Sequence, residues 1–464
     1  MTISSTARGR NARRLAAATA LTAVLLGAPA AAAAAPWGPP QVPPGSPASA
    51  PALTFGSPGV GVLVGQAGDG GTVGAQSTTN LDTFLPFRPL TAADFPLTDD
   101  VATYATTRLV GLGTRIGHPT DRAGLVFGQV GTKLTDVRLV GPTDRAGRAR
   151  ALDVNDRGDT AATYGVCANR ACVLQALYLV VRRAGRSPGG LIRIDNRAVR
   201  QLSTVTVNQR GDVLVAWQAD RGVYARIRTA GGTLYRTQRL GNPGQPVNAI
   251  SAVLTANRAA AVAWEAQSAS EGVPGSPATV DAAFKAAGAR HRFHSAQRLA
   301  TVPALRTGHY VAERRVRVVE AADGAIHAAW TSYVNGRFVV QTGTLRGFRF
   351  GAVQTVSDPA MDAVLADLDA GPSAELAIAF RTGVAGADPG TGPAGLRAAL
   401  RAPGAAAFGP AETILENADT PVEATLRFDP ATARPVAAWR SLRANAITTS
   451  AREPLVLPRN GRRF

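Results

Sequence analysis

One unit recurs along this 464-residue chain about every 55 residues, and in each copy a short strand, apolar on both faces, ends in an aromatic. Together with Gly-, Asn- and Asp-rich turns, this predicts an all-β fold. The form expected is a β-propeller of four-stranded blades, seven blades favoured and six the alternative. A strand apolar on both sides must be sandwiched between neighbours, and four-stranded units stacked face to face in a ring meet that need. The composition agrees: 45% hydrophobic and 18% charged residues exclude global disorder. Two cysteines and five scattered histidines exclude a disulfide-dense scaffold and a zinc-finger array.

Taken from the N-terminus, residues 1–35 read as a secretory signal. Arg8, Arg10, Arg13 and Arg14 make the basic segment, Leu15 to Leu26 the apolar one, and Ala30 to Ala35 the small-residue cleavage region. The general secretory route is favoured, with the Arg13-Arg14 pair leaving the twin-arginine route open. No stretch is apolar and long enough for stable membrane insertion. The expectation is a protein released to the extracellular space. Residues 36–58, rich in Pro, Gly, Ala and Ser, read as a linker.

The propeller is expected over 59–455, with an irregular first blade at 59–141, clear repeats at 142–455 and a basic tail at 456–464. Gly59 to Gly74 is a candidate outer strand, closing the ring against the last blade. The repeated aromatics are Tyr164, Trp217, Trp264, Trp330, Phe380 and Trp439, and a residue type fixed in every unit reads as inter-blade core. A second element begins at Phe293, Phe350 and Phe408 as aromatic-x-x-x-(Gln/Glu)-x-aliphatic, and Leu234 to Leu240 is a copy without the aromatic. Long inserts at Ser268 to Thr279 and Gly383 to Gly395 occupy the loop between second and third strands, where either binding or tolerated slack could reside.

Cys167 and Cys172 bracket a short hairpin loop, and in an exported chain they read as a disulfide. Arg157-Gly158-Asp159 and Arg210-Gly211-Asp212 spell an adhesion tripeptide, but they fall at equivalent turns, which a structural role explains in both copies. Asp367, Asp369 and Glu375 form the one calcium-like spacing of hard oxygen ligands; otherwise no cofactor is expected. The first strands of blades line a propeller channel. Asp153, Asp367, Asp369, Glu423 and Asp429 are therefore the acids to inspect there, with Thr204, Thr206, Asn208, Arg317 and Arg427 as further lining. No catalytic constellation is visible.

Fifty Lys+Arg against 32 Asp+Glu give a formal charge of +18, and all the basic residues but Lys133 and Lys285 are arginine. That excess suits an anionic polymer by long-range attraction and is equally what a GC-rich genome writes. No basic helix or stacking motif for nucleic acid appears.

Residues 100–455 resemble the secreted β-propeller repeat proteins of GC-rich Gram-positive bacteria. The resemblance rests on the Gly211-Asp212 turn, the Val215-Ala216-Trp217 strand and the Phe350-Gly351 and Phe408-Gly409 hairpins. The architecture is more distantly similar to sialidase-like propellers, without their Ser-x-Asp-x-Gly-x-x-Trp box, and to FG-GAP propellers, whose acidic loop only Asp367 to Gly371 resembles. The resemblance implies the fold; with no catalytic constellation visible, the expectation is a non-enzymatic, monomeric binding or scaffold module of the cell envelope or its surroundings, with an anionic polysaccharide or a protein as partner. The alternative is a carbohydrate-active propeller, glycosidase or lyase, using carboxylates at the channel mouth.

Overall fold

The computed structural model describes residues 37–452, apart from 57–59, 79–80, 82, 93–94, 105–107, 117–120, 131, 141–145, 168–174, 221, 242–246, 267–277, 289–291, 303–315, 384–393 and 417–420; the side chains of 98–100, 196–201 and 352 are also outside the description. The signal region, the basic tail, Cys172, His291 and most of both long inserts therefore lie outside the described residues.

The described residues form a β-propeller of eight blades, rather than the seven or six expected. Blade 1 spans 52–89 and blade 2 spans 97–139. Blades 3 and 4 share one sixteen-residue strand, Ile192–Val207. Its first part pairs with Gln175–Arg182 as the outer strand of blade 3, and its second part pairs with Val213–Ala219 as the inner strand of blade 4. Blades 5, 6 and 7 are four-stranded antiparallel sheets over 247–302, 316–355 and 363–415. Blade 8 contributes three strands of its own, Pro421–Phe428, Pro435–Ser441 and Ala446–Ala451.

Each repeated aromatic is buried in the layer between its own blade and the preceding one. Trp217, Trp264, Trp330 and Trp439 are at most 1% exposed. Trp217 packs with Leu177 and Leu179 of blade 3, and Trp264 with Leu214 and Ile227 of blade 4. Removing such a ring would cost about 3–5 kcal/mol. The first two blades escaped the repeat because glycine stands at that place. A Cβ on Gly65 would meet Pro47 at 2.6 Å and Ile447 at 2.8 Å, and one on Gly113 would meet the Phe95 ring at 2.7 Å. Phe95, fully buried and arriving from the connecting segment, fills the room an in-strand tryptophan takes elsewhere.

The inner hairpins share one turn, in which the first residue's N–H reaches the fifth residue's carbonyl: Asn155 to Asp159, Asn208 to Asp212, Thr255 to Ala259, Ala321 to Ala325 and Gly371 to Glu375. The fourth residue must take a positive φ, which Gly158 (90°), Gly211 (80°) and Gly324 (79°) do without strain. Asp159 and Asp212, the last residues of the two Arg-Gly-Asp sequences, are buried and spent on structure. Asp159 accepts from Ala184 N and pairs with Arg157, and Asp212 accepts from Ala230 N and pairs with Arg258 at 2.8 Å.

The second repeated motif is an inter-blade clasp. The side-chain amide of Gln297 in blade 5 accepts from Phe350 N (2.9 Å) and donates to Phe350 O (3.1 Å) in blade 6. Gln354 does the same to Phe408 of blade 7 at 2.9 and 3.1 Å, and Gln238 accepts from Phe293 N. The glutamine thus reads the main chain of the aromatic that opens the next copy. Replacing Gln354 by alanine should cost about 1–3 kcal/mol, two part-buried hydrogen bonds at roughly 0.5–1.5 each. Chemical denaturation would measure it, and an unchanged midpoint would show that the clasp holds nothing.

The ring closes through the N-terminal segment, which the sequence reading assigned to the linker. Trp37 and Gln41 pair antiparallel with Arg452 and Thr449, so that residues 37–41 lie on the free edge of blade 8. Gly38 N donates to Ala451 O, Gln41 and Thr449 exchange both main-chain bonds, and Ser46 Oγ bonds the main chain of Ile447. Glu412, at the clasp position of blade 7, accepts from Trp37 Nε1 (3.1 Å) and from Arg452 Nε (2.6 Å) and Nη2 (2.8 Å). Gly59 to Gly74, the segment expected to close the ring, instead carries Gly61–Gln66 and the start of Thr72–Gln76, the second and third strands of blade 1.

Candidate functional site

The inner strands of blades 3 to 8 enclose a cavity of about 270 Å³ on the channel axis. Its polar walls are Asp153, Thr204, Thr206, Ser251, Arg317, Asp367, Asp369 and Arg427. An inner strand alternates its side chains, so every second residue looks into the channel. Thr204, Ser251, Arg317 and Asp367 form one tier, and Asp153, Thr206, Asp369 and Arg427 the next.

Asp367 organises the site. It is 1% exposed; one oxygen forms an ion pair with Arg317 Nε at 3.0 Å and the other accepts from Arg427 Nη1 at 2.7 Å. Thr425 Oγ1 (2.9 Å), Leu426 N (3.1 Å) and Leu368 N (3.0 Å) complete its shell. Burial opposes ionisation, but Arg427, Arg317 and these donors outweigh it and hold the Asp367 carboxyl below the usual carboxylate range. Burial likewise lowers the Arg427 pKa, yet Asp367 and Asp369 override it and keep the guanidinium charged. One buried carboxylate therefore fixes two arginines at the cavity wall. Arg427 spends Nη1 on Asp367 and on Leu426 O; its Nε and Nη2, and the hydroxyls of Thr204 and Thr206, have no hydrogen-bond partner among the described residues.

Asp369 sits one tier away and differs in character. Burial dominates, Arg427 and the Phe428 N–H offset it in part, and the carboxyl is pushed up to about 6. Its folded pKa lies above that of a free aspartate, about 3.9. The stability contributed by its protonated form is thus fully present below about pH 4 and lost as pH rises through about 6. In thermal melts from pH 4 to 7, Asp369→Asn should gain on the wild type as pH rises; a constant difference would contradict the shift.

Asp153 and Asp369 hold equivalent places four blades apart, on opposite sides of the ring. Each accepts an N–H from the next inner strand, Val207 N at 2.7 Å and Phe428 N at 2.8 Å, so each has one oxygen committed to a blade seam. Three residues expected in the channel are elsewhere. Asp429 is buried in its own turn, accepting from Ala431 N and Thr432 N; Asn208 Nδ2 donates to Thr255 O of blade 5; and Glu423, at a positive φ of 52°, faces Arg440. Ser251 was missed, although its place on the tier of Thr204 and Asp367 would have found it.

Two carboxylates of the calcium spacing have protein partners. Asp367 is occupied by two guanidiniums, Glu375 turns back to accept from Ser373 N, and no group of three His, Cys, Asp or Glu side chains able to hold a metal occurs among the described residues. Cys167 ends the buried second strand of blade 3, Thr160–Cys167. Its pairing with Cys172 concerns a residue outside the description.

The chain is similar in fold to several solved propellers. The BP39L lectin from Burkholderia pseudomallei aligns over 79% of this chain and 99% of its own, at 10% identity and a TM-score of 0.47. The polysaccharide lyase Uly1 aligns over 75% and 88% (10% identity, TM-score 0.39), and the Hadza microbial sialidase Hz136 over 87% and 65% (10%, 0.38). No family model and no curated protein matches the sequence.

Proposed function

We propose that the protein is an exported, non-enzymatic binding propeller that takes one residue of an anionic glycan in its channel cavity. The observation that supports this is Arg427. It is anchored through Nη1 to buried Asp367, while its other N–H donors and the Thr204 and Thr206 hydroxyls remain unspent on the cavity wall. A guanidinium fork suits a carboxylate, and hydroxyls suit the hydroxyls of a sugar ring. A volume of about 270 Å³ lies just under the roughly 300–1,000 Å³ of ordinary small-molecule sites and suits one ring rather than a long chain. The arginine excess would raise the local concentration of such a polymer.

A second reading rests on Asp369. A carboxyl that titrates near 6 is suited to proton donation, as a glycosidase or lyase requires. One experiment separates the two: retention of the mature protein on immobilised polygalacturonate and neutral dextran at low and high salt, with released sugar assayed in the supernatant. The binding reading expects salt-resistant retention on polygalacturonate, weakened about tenfold or more in Arg427→Gln, with no sugar released. Released sugar would favour the enzyme, and retention on neither support would overturn the binding reading.

A further inference from the structure

Away from the channel, blades 5 and 6 meet in an aromatic cluster that none of the preceding structural roles explains. The hairpin between the third and fourth strands of blade 6, Arg337–Arg346 and Arg349–Thr355, turns on Gly347 and Phe348. Gly347 has a φ of 60°, the left-handed conformation that a two-residue hairpin wants first. Phe348 is thereby held out at the tip, 58% exposed. It does not wave free: its ring lies 4.4 Å from the His294 ring and 5.6 Å from that of Phe284, both of blade 5. Phe284 is buried and stacks on His294 at 4.8 Å. One side of Phe348 is thus fixed against blade 5 while much of its ring faces water.

Arginines flank this residue along the hairpin. Arg346 and Arg349 are directly opposite across the hairpin, both exposed, and Arg292 is exposed on the connection that carries His294. None of the three has an ion pair or side-chain hydrogen bond among the described residues, whereas nearby Arg298 is paired with Asp281 at 2.6 Å. Like charges directly opposite on neighbouring strands destabilise a hairpin. An anion bridging them would remove that cost, and a guanidinium pair is built to take a carboxylate or sulfate.

We propose that Phe348, with Arg346 and Arg349, forms a second, peripheral binding site for an acidic polysaccharide, in which a pyranose ring stacks on Phe348 and its carboxylate or sulfate bridges the two arginines. An exposed aromatic offers a flat apolar face to the axial C–H groups of a sugar, and the charges select acidic over neutral polymers. The site shares no residue with the channel.

Affinity electrophoresis through gels cast with polygalacturonate, dextran sulfate or neutral dextran tests it. Wild type should be retarded by one or both acidic polymers and not by dextran; which one retards it distinguishes carboxylate from sulfate. Phe348→Leu keeps cover over Phe284 but removes the flat ring, and should weaken apparent affinity about tenfold, while Phe348→Trp should retain it. The double variant Arg346→Gln/Arg349→Gln should lose retardation and melt no lower than wild type. Arg427→Gln should leave the Phe348-dependent share intact, so failure here and failure of the channel reading are distinguishable. Equal retardation of wild type and Phe348→Leu, or no retardation at all, would overturn the proposal. So would a concentration-dependent dimer that Phe348→Leu abolishes, since the patch would then be a self-contact.

Discussion

Glu412→Ala should destabilise the folded protein by about 3 kcal/mol, the lower end of the roughly 3–5 seen when one partner of a buried ion pair is removed. Arg452 is 1% exposed and gives Glu412 two hydrogen bonds, at 2.6 and 2.8 Å. Without the carboxylate the buried guanidinium loses these two charge-assisted bonds and Trp37 Nε1 loses its acceptor. The lower figure is chosen because the Glu412 side chain keeps 23% of its exposure. Glu412→Gln restores the residue that other blades use at this place and should recover part of the loss. Removing both partners in Glu412→Ala/Arg452→Met should also cost less than Glu412→Ala alone. Denaturant midpoints would measure all three. A Glu412→Ala midpoint equal to wild type would mean that the N-terminal segment is held by its main-chain pairing alone.

Asp367→Asn should cost about as much at neutral pH, about 3 kcal/mol, because two guanidiniums then face one neutral amide where a buried carboxylate stood, with solvent at the cavity wall screening part of the loss. It should also weaken channel binding, since Arg427 would lose its charged anchor and keep only its bond to Leu426 O. The pH dependence gives an independent check. The folded pKa of Asp367 lies below its unfolded value, so its stabilising effect is present above about pH 4 and is lost as pH falls through the depressed folded pKa. The stability gap between wild type and Asp367→Asn should therefore be full at pH 7 and narrow only in strong acid. A gap that closed already near pH 5 would show that the arginines do not hold the charge.

The repeat was legible where an in-strand aromatic marks it. From Tyr164 to Trp439 each such residue sits in a layer between blades, and the alternation of the inner strands correctly brought Asp153, Thr204, Thr206, Arg317, Asp367, Asp369 and Arg427 to one cavity. The first two blades were read as one irregular blade because Gly65 and Gly113 stand where the others place an aromatic, their space taken by Ile447, Pro47 and Phe95 from elsewhere in the chain. Glycine carries no pattern, and the filler comes from elsewhere in the chain. Closure was hidden for a related reason. Residues 37–47 contain five prolines and no alternation, yet they need only a few main-chain bonds and the Trp37 indole to complete blade 8. Trp37 was the one tryptophan outside the repeat. The glutamines of the second motif were visible as a spacing, but their bonds run to the next blade, and no local pattern reports contacts 53 or 54 residues away.

The most direct test is a crystal structure of the mature protein soaked with an oligogalacturonate. A galacturonate residue should occupy the cavity between Thr204, Thr206 and Arg427, its carboxylate on the Arg427 guanidinium and the Arg427–Asp367 pair intact. Saccharide bound elsewhere, with the channel cavity still holding only solvent, would contradict the channel as the binding site.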